Sequence, residues 1–209
     1  MAKLFKLLLD DYSIPSFSSF SKPYFGTLED VSALIADLSA DEDFKDGFNE
    51  TKEAFDKYMA GETNVTHNIA YQDVPLLTPT TVYYEYEQPI GKMEWQHINT
   101  WGCIYEMKCA SADVRHFWLK DGDKFYRVMK ARVKNISHKN TKNEWVDGTS
   151  MFWGFPCMLV VDGDILFNRL ACVEKIFDSF SDMINDYMSF MEMPDVEFQQ
   201  FCNDIFGDG

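Results

Sequence analysis

The sequence predicts an α+β domain in two layers, an antiparallel β-meander sheet flanked by N-terminal and C-terminal helices. Three observations predict it. Apolar residues recur at helical spacing in one stretch near the start and another near the end. Between them, β-branched and aromatic runs alternate with Asp-Gly turn signals. The runs lie close together, and short connections suit antiparallel neighbours better than βαβ crossovers. At 209 residues the chain reads as a single domain over 1–209, long enough to bury a core without disulfides or metal. A hydrophobic fraction of 46% excludes a mainly disordered chain, because that much apolar surface offsets the entropy of ordering.

Taken in order, residues 1–26 show little periodicity and read as an arm or loop. Ser13 to Ser21 is rich in Ser and Phe and is bracketed by Pro15 and Pro23. Its rings, Phe17, Phe20, Tyr24 and Phe25, must dock on the protein's own core or on a neighbouring subunit. Residues 27–62 read as acidic helices. Thr27 and Asp30 make a capping box with Asp in the Glu position, and Val31, Leu34, Ile35 and Leu38 follow at helical spacing. A second helix is predicted from Asp41 to Met59, with Phe44, Phe48, Phe55 and Met59 on one stripe and Gly61 as its stop.

Residues 65–168 read as the sheet. Thr80 to Tyr86 is a strand, and Gln88 to Lys92 a turn around Pro89 and Gly91. Met93 to Lys108 is a long strand with a break at Gly102. Val114 to Leu119 and Lys124 to Ile136 flank Asp121-Gly122, a hairpin signal, and Asp162-Gly163 is a second one. Residues 170–206 read as acidic helices again. Val173, Ile176, Phe177, Phe180, Ile184, Tyr187 and Met188 form one stripe, and Pro194 suits the first turn of a last helix with Phe198, Phe201, Cys202 and Ile205.

Charge is the second clear signal. There are 34 acidic and 19 basic residues, a net of −15. This disfavours binding to phosphate backbones or anionic membranes, and it fits a basic partner. The charges are also segregated. Leu28 to Glu62 holds eleven carboxylates against three lysines, Leu170 to Gly209 nine against Lys175, and Lys120 to Lys142 eight basic residues against two aspartates. Asp178, Asp182 and Asp186 recur every four residues, and on a continuous helix they would form a ridge. Asp41, Asp43 and Asp46 make a second acidic cluster. Lys130, Arg132 and Lys134 alternate along one strand and so share a face with Tyr126. With Trp145 they suggest a nucleic-acid patch, but the overall charge favours ion pairs from this patch to the acidic helices.

Motifs for chemistry are absent from the sequence. It carries no GxGxxG, no Walker loop, no GxSxG elbow and no HExxH. His97, Cys103 and Cys109 match no compact zinc spacing, and the two DGD turns lack the later ligands of a calcium loop. The five cysteines are odd in number and widely spaced, which reads as reduced thiols in a cytoplasmic protein. No run of apolar residues is long enough for a membrane helix.

The expectation is therefore a non-enzymatic acidic protein, without cofactor or metal, that engages a basic protein surface. Asp41, Asp43, Asp46, Asp178, Asp182 and Asp186 would make the contact and block a nucleic-acid-binding site, as a nucleic-acid mimic does. The alternative is a structural subunit of an assembly. It would dock through Phe17, Phe20 and Phe25, with acidic helices meeting the basic hairpin of the next copy.

Overall fold

A computed structural model describes residues 3–10, 21–40, 42, 45–69, 71–98, 104–109, 111–134, 137–147, 153–154, 158–161, 164–165, 170–193 and 197. Helices and strands are mixed as expected, but the main sheet is a closed six-stranded barrel and not a meander. Its staves are β1 (Lys3–Asp10), β2 (Ser21–Gly26), β5 (Thr78–Ile90), β8 (Ser111–Asp121), β9 (Lys124–Lys134) and β15 (Ala171–Phe177). They run in the order β1-β2-β15-β9-β8-β5, and every pairing is antiparallel.

Two expectations change here. The opening segment supplies two staves where an arm or loop was expected: Phe5 pairs with Gly26, and the register runs on to Asp10 with Ser21. Residues Ala171–Phe177, expected as helix, form the stave that links β2 to β9. A bulge between Val173 and Lys175 shifts the register there. It breaks the two-residue alternation that would otherwise have marked a strand.

Other strands lie outside the barrel. β3 (Thr66–Ile69) and β4 (Gln72–Pro75) form a hairpin. β6 (Met93–Ile98), β7 (Ile104–Cys109), β10 (Ser137–Lys139) and β11 (Trp145–Asp147) form a four-stranded sheet in the order β11-β10-β7-β6. β12 (Trp153–Gly154), β13 (Met158–Val161) and β14 (Asp164–Ile165) form a three-stranded one. The expected turn at Gln88 to Lys92 narrows, because β5 continues through Pro89 to Ile90 and pairs Pro89 with Asp113. Pro is tolerated there because β1 pairs β5 only between Thr78 and Thr81, which leaves the other side of β5 at Pro89 without a β1 partner. The long strand expected from Met93 to Lys108 is instead the β6–β7 hairpin. Asp121-Gly122 turns β8 into β9, with Gly122 at φ +61.

The core has two parts. Leu4, Phe25, Val82, Phe117, Leu119, Tyr126, Val128 and Ala171 fill the barrel. Phe5, Leu7, Leu9 and Tyr24 face the other way and meet helices α1 (Leu28–Ala40) and α2 (Lys45–Met59). The buried stripe Val31, Leu34, Ile35 and Leu38 of α1 matches its sequence periodicity. The Thr27–Asp30 box forms in both directions: Asp30 accepts from the Thr27 N–H at 3.1 Å, and Thr27 Oγ1 accepts from the Asp30 N–H at 3.1 Å. Gly61, at φ +89, follows α2. Helix α3 (Phe180–Met191) packs outside the barrel against β9 and β15. None of the helices is long and apolar enough to cross a membrane among the described residues.

Candidate functional site

The C-terminal helix is where charge and packing meet. Ser179 caps α3: its side chain accepts from the Asp182 N–H at 3.1 Å and donates to Asp182 Oδ2 at 2.6 Å. The cap fixes where the helix starts. Met183 and Phe190 are buried, and Tyr187 stacks on Tyr84 with centroids 4.2 Å apart. Asp186 falls on this inner face, not on a surface ridge.

Beneath α3 lies an ion network. Trp118 donates from Nε1 to Asp186 Oδ2 at 2.9 Å. Arg127 Nη1 reaches both Asp186 oxygens, and Lys175 donates to Oδ1 at 3.1 Å. Arg127 also donates from Nε to Glu174 Oε2 at 3.1 Å, and His116 Nδ1 lies 2.7 Å from the same oxygen. The Phe190 ring covers the Arg127 guanidinium. Burial works against the charged form of Asp186. The Trp118 N–H, the Arg127 charge and the Lys175 and Arg127 hydrogen bonds outweigh it, holding the carboxyl below its ordinary value. The network balances two carboxylates with two cations and ties α3 to β8, β9 and β15, so it is a structural clamp.

The expected site residues therefore separate. Asp178 precedes α3 and is exposed, Asp182 serves its cap, and Asp186 is enclosed, so the three do not form one ridge. Phe25 fills the barrel with no exposed surface and cannot dock on a neighbour. Phe17, Phe20, Asp41 and Asp43 lie outside the described residues. Asp46 is exposed on α2. Of the basic patch, Lys130 pairs with Asp30 of α1 at 2.7 Å, an intramolecular tie from strand to acidic helix. Tyr126, on the same strand face, is buried in the barrel and so provides no platform. Arg132 and Lys134 continue β9 against Asp113 and Ser111 of β8. Lys108 and Lys139 both lie over the Trp145 ring.

Sequence reasoning weighed His116 only as a partner for Cys103 or Cys109, and missed the network that joins it to Trp118, Arg127 and Glu174. The signal was present in part. Arg127 stands between two apolar residues, Tyr126 and Val128, as an outward-facing strand position does when another element covers it.

The outward acidic surface is on α1, α2 and the turn after α2. Glu29, Asp37, Asp46, Glu50 and Glu62 are exposed. The three lysines of this region are engaged within α2 or just before it, Lys45 with Glu42, Lys52 with Asp56 and Lys57 with Glu53. No group of three or more His, Cys, Asp or Glu is placed to hold a metal ion among the described residues. Comparison with protein-family models, curated proteins and solved structures finds no match to this chain.

Proposed function

We propose that this is a non-enzymatic acidic binding protein whose α1–α2 face engages a basic surface of a protein partner and blocks a site that otherwise holds nucleic acid. One observation carries the reading: the pairing of charges is lopsided. Lys6, Arg127 and Lys130 are turned onto carboxylates within the fold, Lys130 onto Asp30 of α1, while Glu29, Asp37, Asp46 and Glu50 are exposed on the two helices, and the carboxylates there exceed the lysines beside them. Electrostatic attraction of this kind steers association and weakens with salt. A pull-down with the tagged protein, eluted by a salt gradient, tests it. A nucleic-acid-handling protein should elute at moderate salt, and Asp46→Lys with Glu50→Lys should lower the salt needed. An elution point unchanged by the double reversal overturns the reading.

A second reading, a structural subunit of an assembly, draws on α3. Phe180, Met188 and Met191 are exposed, and Tyr83 continues the apolar strip beside Phe180, 5.0 Å away. Light scattering tests this one. It requires a high-mass, salt-resistant complex that Met188→Asp dissolves.

A further inference from the structure

The β3–β4 hairpin ends in a tyrosine that the fold does not use. Tyr71 is 100% exposed, and its backbone has φ +71. Ile69 pairs with Gln72, so the turn has two residues. Two-residue turns with positive φ favour Gly, which has no Cβ to crowd the backbone there, or Asn and Asp, whose short polar side chains hydrogen-bond locally. A lone exposed ring is common and carries nothing by itself. Here an unburied ring and a disfavoured backbone coincide at one tip, and such an outlier is the ground for a functional hypothesis.

The tip is also held in place. Tyr71 N–H donates to Asn68 Oδ1 at 3.0 Å, and His67 Nε2 lies 3.2 Å from the Leu8 carbonyl of the barrel. Leu76 N–H donates to the Val65 carbonyl at 3.0 Å, closing the base of the hairpin. His67 and Ile69 face the body and are buried, whereas Asn68 and its cross-strand partner Asp73 are exposed. The backbone that carries the ring is thus held, and the exposed Asp73 follows Tyr71 by two residues along the chain.

We propose that Tyr71 and Asp73 form an arginine-reading tip beside the acidic surface, on the hairpin whose strand β3 packs against α2. A guanidinium of the basic partner stacks on the open ring and donates to the Asp73 carboxylate. A planar, weakly hydrated guanidinium suits both contacts, whereas a lysine ammonium offers neither the flat face nor the fork. The inference rests on the acidic-binding reading above, and it adds which cation is preferred and where.

Nona-arginine and nona-lysine peptides of equal charge provide the test, by fluorescence anisotropy at low salt. The wild type should bind nona-arginine about fivefold more tightly than nona-lysine, and Tyr71→Asn should bring the ratio to about one. Nona-lysine affinity should not change in that variant, and Tyr71→Phe should keep the preference. The melting temperature of Tyr71→Asn should equal or exceed that of the wild type, since Asn tolerates the left-handed backbone. A lower melting temperature, equal affinities in the wild type, or a preference that survives Tyr71→Asn overturns the proposal. If both peptides bind equally and release with salt, the acidic-binding reading stands without it. If neither binds, both fall.

Discussion

Arg127 on the barrel wall donates from a single nitrogen, Nη1, to both carboxylate oxygens of Asp186 on α3, at 3.0 and 2.8 Å. The two side chains are 11% and 10% exposed, and Glu174, Trp118 and Lys175 make further hydrogen bonds to them. A charge pair so enclosed is costly to form and more costly to break from one side. It fixes the face that α3 turns to the barrel, and so also the face that α3 leaves outside.

Asp186→Asn should destabilise the protein by about 3 kcal/mol, because it leaves Arg127 enclosed with one carboxylate fewer. Asp178→Asn removes an exposed carboxylate of the same type and should stay within about 0.5 kcal/mol. Chemical denaturation of both variants checks this. Equal costs would mean that the clamp does not hold α3.

The same carboxyl makes the acid limb of stability predictable. Asp186 is held below its ordinary value of 3.8 in the folded protein. Its contribution is therefore fully present above the unfolded value, near 3.9, and is lost as pH falls through the lower folded value. Denaturation midpoints measured between about pH 5 and pH 2 should fall more steeply for the wild type than for Asp186→Asn.

At the alkaline limb the group to watch is Tyr126. Burial, with Asp121 and Asp123 adding to it, raises its hydroxyl above the ordinary value of 10.0. A raised value means that the neutral form is favoured in the folded state, and that this stability is lost as pH rises through the folded value. Spectrophotometric titration should show one tyrosine ionising after the exposed ones. Tyr126→Phe should remove that late phase.

Gly26 ends β2 and leads into α1, and its lack of a side chain is a packing requirement. A Cβ there would lie 2.6 Å from Leu170 Cδ2 and 3.0 Å from Asp30 Cβ. Gly26→Ala should cost about 1–3 kcal/mol by overpacking. Leu170→Ala in the same chain should recover part of it if the Leu170 contact is the cause, and double-mutant analysis of the melting curves reads this out.

What the sequence disclosed follows the range of the signal. Local signals were legible: the Thr27–Asp30 box, the stripe from Val31 to Leu38, and the Asp121-Gly122 turn all depend on residues a few positions apart. Barrel closure depends on partners far apart in the chain, as when Cys172 lies beside Tyr24, and no local pattern carries that. The strand Ala171–Phe177 was hidden by its bulge, which puts Val173, Ile176 and Phe177 at a spacing that also fits a helix. The rotation of α3 was misjudged for a related reason. Met183 and Phe190 are buried while Met188 is exposed, so the apolar stripe seen through Ile184 and Met188 faces sideways. Asp186 accordingly turned inward. The Ser179–Asp182 cap was the signal that would have placed the start of the helix.

The ring of staves has a consequence for how the chain is made. Stave β2 is made well before its barrel neighbour β15. Until Ala171–Phe177 leaves the ribosome, β2 and β9 each present an open strand edge, a template for pairing with other chains. Closure is a late step between distant parts of the chain, and it should be slow relative to hairpin formation. Stave β2 therefore keeps its open edge over a far longer stretch of synthesis than β9, which precedes β15 by fewer residues.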